Sequence, residues 1–212
     1  MTPLDRLTRE TERGSSDRAL LDTLLDEVPV GTLSTVVDGE PWSVPILFAR
    51  DGDRLLFHGS TGAGLLRHAG AGAPVTFTVF SLDGIVVAHT AFESSANYRS
   101  AVVRGLLRRL DGDEAAAALD MVTEGLIPGR TAEVRGNNRK ERAATVALAL
   151  PLTDGGWLYK ERTGPAGIPD EETDAWGGVV PLRVVAGEPI PDDWALGRPL
   201  PPSVRAMSER HR

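Results

Sequence analysis

The 212-residue chain contains no cysteine, which excludes disulfides, thiol nucleophiles and thiolate metal sites. It has four histidines, His58, His68, His89 and His211. None pairs at metal-ligand spacing, so a zinc or iron site is not expected. No run approaches the roughly 18 apolar residues of a membrane span. The chain does not open with a basic segment followed by an apolar one. A soluble, cytoplasmic protein is the simplest expectation. Positive charge is also in short supply, with a net charge of −7 and a pI of about 5.2. Phosphate-rich polymers need a basic face, so nucleic acid is a poor default partner. There is no Gly-x-Ser-x-Gly elbow to support a hydrolase triad.

What is present is a core and many short strands. Hydrophobic residues make up 41% of the chain, enough for a folded domain. Ser15 or Ser16 can cap a helix over 17–27, where Leu20, Leu21, Leu24, Leu25 and Val28 recur at helical spacing. Strand-like runs follow at 31–37, 42–49, 55–58, 74–82 and 85–88. Asp38-Gly39, Asp51-Gly52 and Asp83-Gly84 stand between apolar runs and read as hairpin turns. A long strand over 98–110, a helix over 113–124 and a strand over 145–150 come next. A strand over 157–161 is expected to pair with the last of these across the turn at 153–156. Val179–Val185 supplies a final strand. The expected organisation is a flexible N-terminus (1–15), one domain (16–186) and a proline-rich C-terminal arm (187–212). The fold class is mainly β, an antiparallel barrel with peripheral helices.

Chemistry concentrates at Leu55–Arg67, where an apolar strand runs into Gly59-Ser60-Thr61-Gly62-Ala63-Gly64. This is neither a P-loop nor a Gly-x-Gly-x-x-Gly fingerprint. It reads either as a flexible connector or as an anion cradle built from backbone N–H groups, the Ser60 and Thr61 hydroxyls and Arg67. His58 ends the preceding strand. The basic cluster Arg104, Arg108 and Arg109 reads as a salt-bridged surface that an anionic cofactor could use. The acidic run at 170–174 reads as a solvated loop. In Trp176-Gly177-Gly178 the glycines let a backbone approach something closely beneath the ring.

Taken in order, several segments resemble the FMN-binding split-barrel flavoproteins related to pyridoxamine 5′-phosphate oxidase, closest to the nitroimidazole-reductase-like branch. They are Trp42–Ile46, Phe57–Gly62, Asp83–Ala88, Asn97–Val103, Ile127–Arg130 and Trp176–Pro181. The resemblance implies a six-stranded antiparallel split barrel and a homodimer with FMN at its interface. It implies that Val44, Pro45 and Ile46 run along the flavin edge. His58, Gly59, Ser60 and Thr61 would close on the ribityl phosphate, with Arg67 adding charge. Ser100, Lys160 and Trp176 would be further flavin contacts. His58 would be the catalytic candidate, as proton donor or substrate anchor, on a small organic substrate. The Arg/Lys-rich strand, the Ser-Arg-Lys and the Arg-x-His of vitamin B6 oxidases are missing, so that activity is not implied. Gly64 stands where a basic residue is expected, and His89 where relatives carry arginine. Split barrels also bind haem, for which His58 or His89 could be the axial ligand, or the deazaflavin F420. A non-catalytic storage, sensing or regulatory protein is the alternative to a flavin-dependent oxidoreductase.

Overall fold

A computed structural model describes residues 7–210. Residues 1–6 of the expected flexible terminus, and His211, lie outside the described residues. Among the described residues ten strands form one sheet, in the spatial order β1 (Gly14–Ser15), β9 (Trp157–Arg162), β6 (Ser95–Leu106), β5 (Pro74–Val87), β2 (Val30–Val37), β3 (Glu40–Asp51), β4 (Arg54–Ser60), β8 (Thr145–Pro151) and β7 (Arg108–Leu110), with β10 (Gly178–Pro181) pairing with β5. Every pairing is antiparallel.

Helix α1 (Arg18–Glu27) begins at Asp17, whose carboxylate accepts the Ala19 N–H at 2.9 Å. Asp17, rather than Ser15 or Ser16, satisfies the orphan donors of the first turn. Strands β2 (Val30–Val37) and β3 (Glu40–Asp51) form a hairpin at Asp38-Gly39, where both residues have positive φ. Strand β4 (Arg54–Ser60) follows the second Asp-Gly turn. The third Asp-Gly pair makes no hairpin. Strand β5 (Pro74–Val87) runs straight through it, with a register shift between Leu82 and Gly84. The Asp83 carboxylate accepts hydrogen bonds from Ser81 and Arg99, and β10 (Gly178–Pro181) pairs along this stretch. Non-local pairing has turned a turn signal into a bulge.

The expected strand over 98–110 is two strands, β6 (Ser95–Leu106) and β7 (Arg108–Leu110), because β7 leaves β5 to pair with β8 (Thr145–Pro151). Strand β9 (Trp157–Arg162) pairs with β6 and not with β8. Gly14–Ser15, inside the segment expected to be flexible, forms β1 against Lys160 and Tyr159. Helices α2 (Gly64–Gly70), α3 (Gly112–Leu126) and α4 (Arg139–Ala144) cover the barrel. The proline-rich arm ends in a helix the sequence reading did not anticipate, α5 (Pro202–Arg210). It is tied back by Glu133, whose carboxylate accepts from the Ser203 N–H and Oγ.

The six longest strands, β2 to β6 and β8, enclose one apolar core. Phe48, Phe57 and Phe77 sit edge to face at its centre, with Phe77 4.8 Å from Phe48 and 5.1 Å from Phe57. The barrel closes through side chains: no β6–β8 ladder exists, but a Cβ on Gly105 of β6 would meet Leu150 of β8 at 3.0 Å. This is a split barrel, mainly antiparallel, with peripheral helices. Among the described residues no helix is long and apolar enough to cross a membrane.

Candidate functional site

Strand register sorts the candidate residues by face. Lys160, Ser100 and Phe80 stand side by side on β9, β6 and β5. Continued through β2 and β3 the row adds Val30 and Leu47. Across the gap where β3 and β4 part, it reaches His58, opposite Ala147. The next row runs Leu158, Val102, Thr78, Thr32 and Pro45, and continues to Ser60 opposite Thr145. Side chains alternate along a strand, so both rows point out of the barrel. Val44 and Ile46 have the opposite phase and pack on the core. They can offer a ligand only their backbone.

The outer face is unusually apolar for an open surface. Phe80 is 66% exposed, and Val30, Leu82 and Leu47 are exposed beside it. Lys160 holds its Nζ 5.9 Å over the Tyr98 ring and makes no ion pair among the described residues. Ser100 Oγ donates to the Lys160 carbonyl at 3.3 Å. From β9 to β4 the row crosses five strand spacings, about 24 Å along the curved sheet. Lys160 and His58 of one chain therefore lie far apart along the sheet.

His58 is half-buried, and its Nδ1 is buried without a hydrogen-bond partner. Burial lowers its pKa, so the neutral imidazole is favoured at neutral pH. A neutral, unpartnered ring is better suited to accept a proton or to ligate a metal. His89 holds Nδ1 2.9 Å from Glu93 Oε2, without hydrogen-bond geometry. His68 Nε2 lies 3.1 Å from the Val36 carbonyl.

The glycine loop has spent much of its backbone. Thr61 N–H donates to the Ala144 carbonyl, Gly62 N–H to Ser60 Oγ, and Ala63 N–H to the Ser60 carbonyl. These N–H groups are therefore not free to form an anion cradle. What the fold brings together instead are side chains. Thr61, Arg67 and Arg109 line one cavity of about 280 Å³, floored by Leu66, Val146 and Leu148. Arg67 has no ion pair among the described residues, and Arg109 lies 3.3 Å from Asp111 at an exposed position. Arg108, by contrast, is committed to Glu114, whose carboxylate it holds, with Arg54, down at about 2. Within the basic cluster Arg108 is salt-bridged to Glu114, while Arg109 pairs with Asp111 and lines the cavity.

Two tryptophans rest on glycines. A Cβ on Gly64 would meet the Trp42 ring at 2.7 Å. The missing basic residue at Gly64 has a steric cause: the indole takes its space. Trp176 folds over Gly178 in the same way, at 2.7 Å, and is 65% exposed. Gly178 pairs with Val87, seven residues along β5 from Phe80, or roughly 23 Å. One chain therefore keeps Trp176 apart from Ser100 and Lys160.

Sequence reasoning missed Phe80 and Leu47 and undervalued Arg109. Phe80 was visible in principle. It shares the phase of Thr76 and Thr78, so a large aromatic stands on the polar side of the strand.

A search of curated proteins returns no match. Among solved structures, the chain is 47% identical to a protein described as the FAD and haem binding protein from Mycobacterium smegmatis. That match has a TM-score of 0.90 and covers 92% of this chain and 97% of the other. It is 28% identical to the flavocytochrome Anf3 from Azotobacter vinelandii, with a TM-score of 0.88 and coverage of 97% and 96%. A protein from Bacteroides thetaiotaomicron named for 5-nitroimidazole antibiotic resistance shares the fold at 17% identity, with a TM-score of 0.58 over 70% of this chain and 86% of that one. The family model described as pyridoxamine 5′-phosphate oxidase matches residues 17–155. With more than half its length matched, and with its split barrel and the outer-face rows in place, the chain belongs to the pyridoxamine 5′-phosphate oxidase family.

Proposed function

We propose that this protein is a flavin-dependent oxidoreductase that holds a flavin against the outer sheet face and a haem at His58. The observation that carries the reading is the co-extensive similarity, 47% identity over nearly both whole chains, to a protein described as binding FAD and haem. The residues fit a flavin. Phe80, Leu47 and Pro45 offer apolar surface to a flat ring, and Lys160 adds an unpaired cation beside Ser100. Arg67, Arg109 and Thr61 offer two cations and a hydroxyl to a phosphate. The neutral, unpartnered imidazole of His58 fits an axial ligand.

A bound flavin would supply one- or two-electron chemistry and a haem one-electron chemistry. The chain's own part is to orient them and to exclude water. The separation of Lys160 from His58 along the sheet, and of Trp176 from Ser100 and Lys160, favours a homodimer, in which a second chain completes each site. The exposed apolar face favours it too. FAD, which contains FMN, now stands ahead of FMN alone. A cofactor carrier without catalysis is a second reading, favoured by the binding-protein description of the 47% identical relative.

The absorption spectrum of the purified protein, before and after adding flavin and haemin, tests the proposal. Paired near-UV and blue bands with a Soret band are expected. A protein that takes up neither group refutes it. Loss of the Soret band alone in His58→Ala supports the ligand assignment. Reduction of a substrate panel by NADH or NADPH separates oxidoreductase from carrier.

A further inference from the structure

The match to the family ends at residue 155, yet the similarity to the FAD and haem binding protein extends over 92% of the chain. The segment that follows residue 155 helps to build a separate cavity. It measures about 550 Å³ and lies between the loop after α3, the proline-rich arm and the start of α5. Trp194 lines it and is 68% exposed. Its Nε1–H donates to Asp192 at 3.2 Å, which fixes the ring, and the Arg198 guanidinium stands 5.2 Å from it. Arg198 has no ion pair among the described residues. Arg130 also lines the cavity, held at 3.2 Å by Glu133. The Glu133 carboxylate is already engaged by Ser203 and Arg130. The cavity therefore presents an oriented indole with one face open, a cation over its other face that makes no ion pair among the described residues, and a second cation held by Glu133 nearby.

We propose that this cavity is an adenylate site. A purine lies on the Trp194 indole, and its 5′-phosphate meets Arg198 and Arg130. FAD differs from FMN by one AMP unit, so a member of this family that takes FAD gains from an aromatic, cationic subsite that an FMN barrel can do without. Trp194 and Arg198 are the two side-chain types that such a group requires. The site deepens the flavin reading and rests on it for one of two sources of the adenylate. The other source is a free adenine nucleotide.

Calorimetric titration of apo-protein with FMN, FAD and AMP, in wild type, Trp194→Ala and Arg198→Gln, tests this. FAD is expected to bind more tightly than FMN, with AMP competing against FAD and not against FMN. Each substitution should cut FAD affinity by roughly tenfold and leave FMN affinity unchanged, the size expected for loss of one base-stacking contact at Trp194 or one charge-assisted phosphate contact at Arg198. AMP binding that is lost in both variants, without any preference for FAD, assigns the site to a free nucleotide. Failure of AMP to bind, together with equal affinities for FAD and FMN, overturns the proposal. If neither flavin binds, the flavin reading fails, and the AMP titration still decides this site. Trp194→Phe should retain most AMP binding; if it loses as much as Trp194→Ala with an unchanged melting curve, stacking is not the role of this ring.

Discussion

On β5 the inward residues Val75, Phe77 and Val79 are at most 4% exposed, whereas Phe80, the next residue along, is 66% exposed. Large side chains stand on both phases of the strand, but they answer to different demands. Phe77 sits between Phe48 and Phe57 and has nowhere to relax. Phe80 stands on the open face beside Ser100. The inner phase sets stability, and the outer phase sets what the protein meets.

The widest gap between the faces should appear in paired substitutions. Phe77→Ala should cost about 3–5 kcal/mol of folding stability, as large core truncations do, read by urea unfolding. Phe80→Ala should change it by less than about 1 kcal/mol. If Phe80→Asp leaves a dimer intact by light scattering, the outer face is not the interface. A comparable loss of stability from both alanine variants would erase the distinction.

Next in size is the Arg67–Arg109 cavity. Replacing either arginine by glutamine should weaken flavin binding by about 1–3 kcal/mol, the worth of a hydrogen bond to a charged group. Arg108→Gln, which breaks only the pairing with Glu114, should leave binding unchanged. Equal losses from Arg108 and Arg109 would show that the cluster acts by net charge alone.

Smaller still is a pH effect at His58. Its pKa is lowered in the fold by burial, so the unfolded chain binds the proton more readily. Stability is then fully present above the ordinary histidine value of about 6.5 and declines as pH falls below it. His58→Gln should flatten that part of the curve in thermal melts across pH 5–8. The smallest effect belongs to Asp83, whose carboxyl is lowered by the Arg99 guanidinium and by Ser81. Its contribution is present above the ordinary carboxylate value of about 4 and is lost as pH falls below it. Asp83→Asn should remove a small part of the acid destabilisation, measured below pH 4.

Much of the fold was legible because its signals are local. Capping and leucine spacing mark α1, and two of three Asp-Gly pairs are true turns. The errors share one cause. Whether Asp83-Gly84 turns or bulges depends on β10, about a hundred residues downstream, and the partner of β9 is β6 rather than its neighbour in sequence. The site was legible as residue types and not as an arrangement. His58, Ser60, Ser100, Lys160 and Pro45 could be named, but only the register shows that they share one face. Trp194 and Arg198 lay in an arm whose proline content suggested extension, while α5 and its tie to Glu133 were not anticipated.

The sheet path ends in β1, two residues long, and β7, three residues long. A long free rim would be a template on which further chains add strands without limit. At those two ends there is almost no rim to extend; open edges are left along β3 from Glu40 to Leu47 and on the outer side of β10. In the homodimer proposed above, association would use the broad apolar face, where a two-fold pairing uses up both partners' surfaces at once. Such a dimer should stop at a closed pair, with the exposed phenylalanine covered rather than free to recruit further chains.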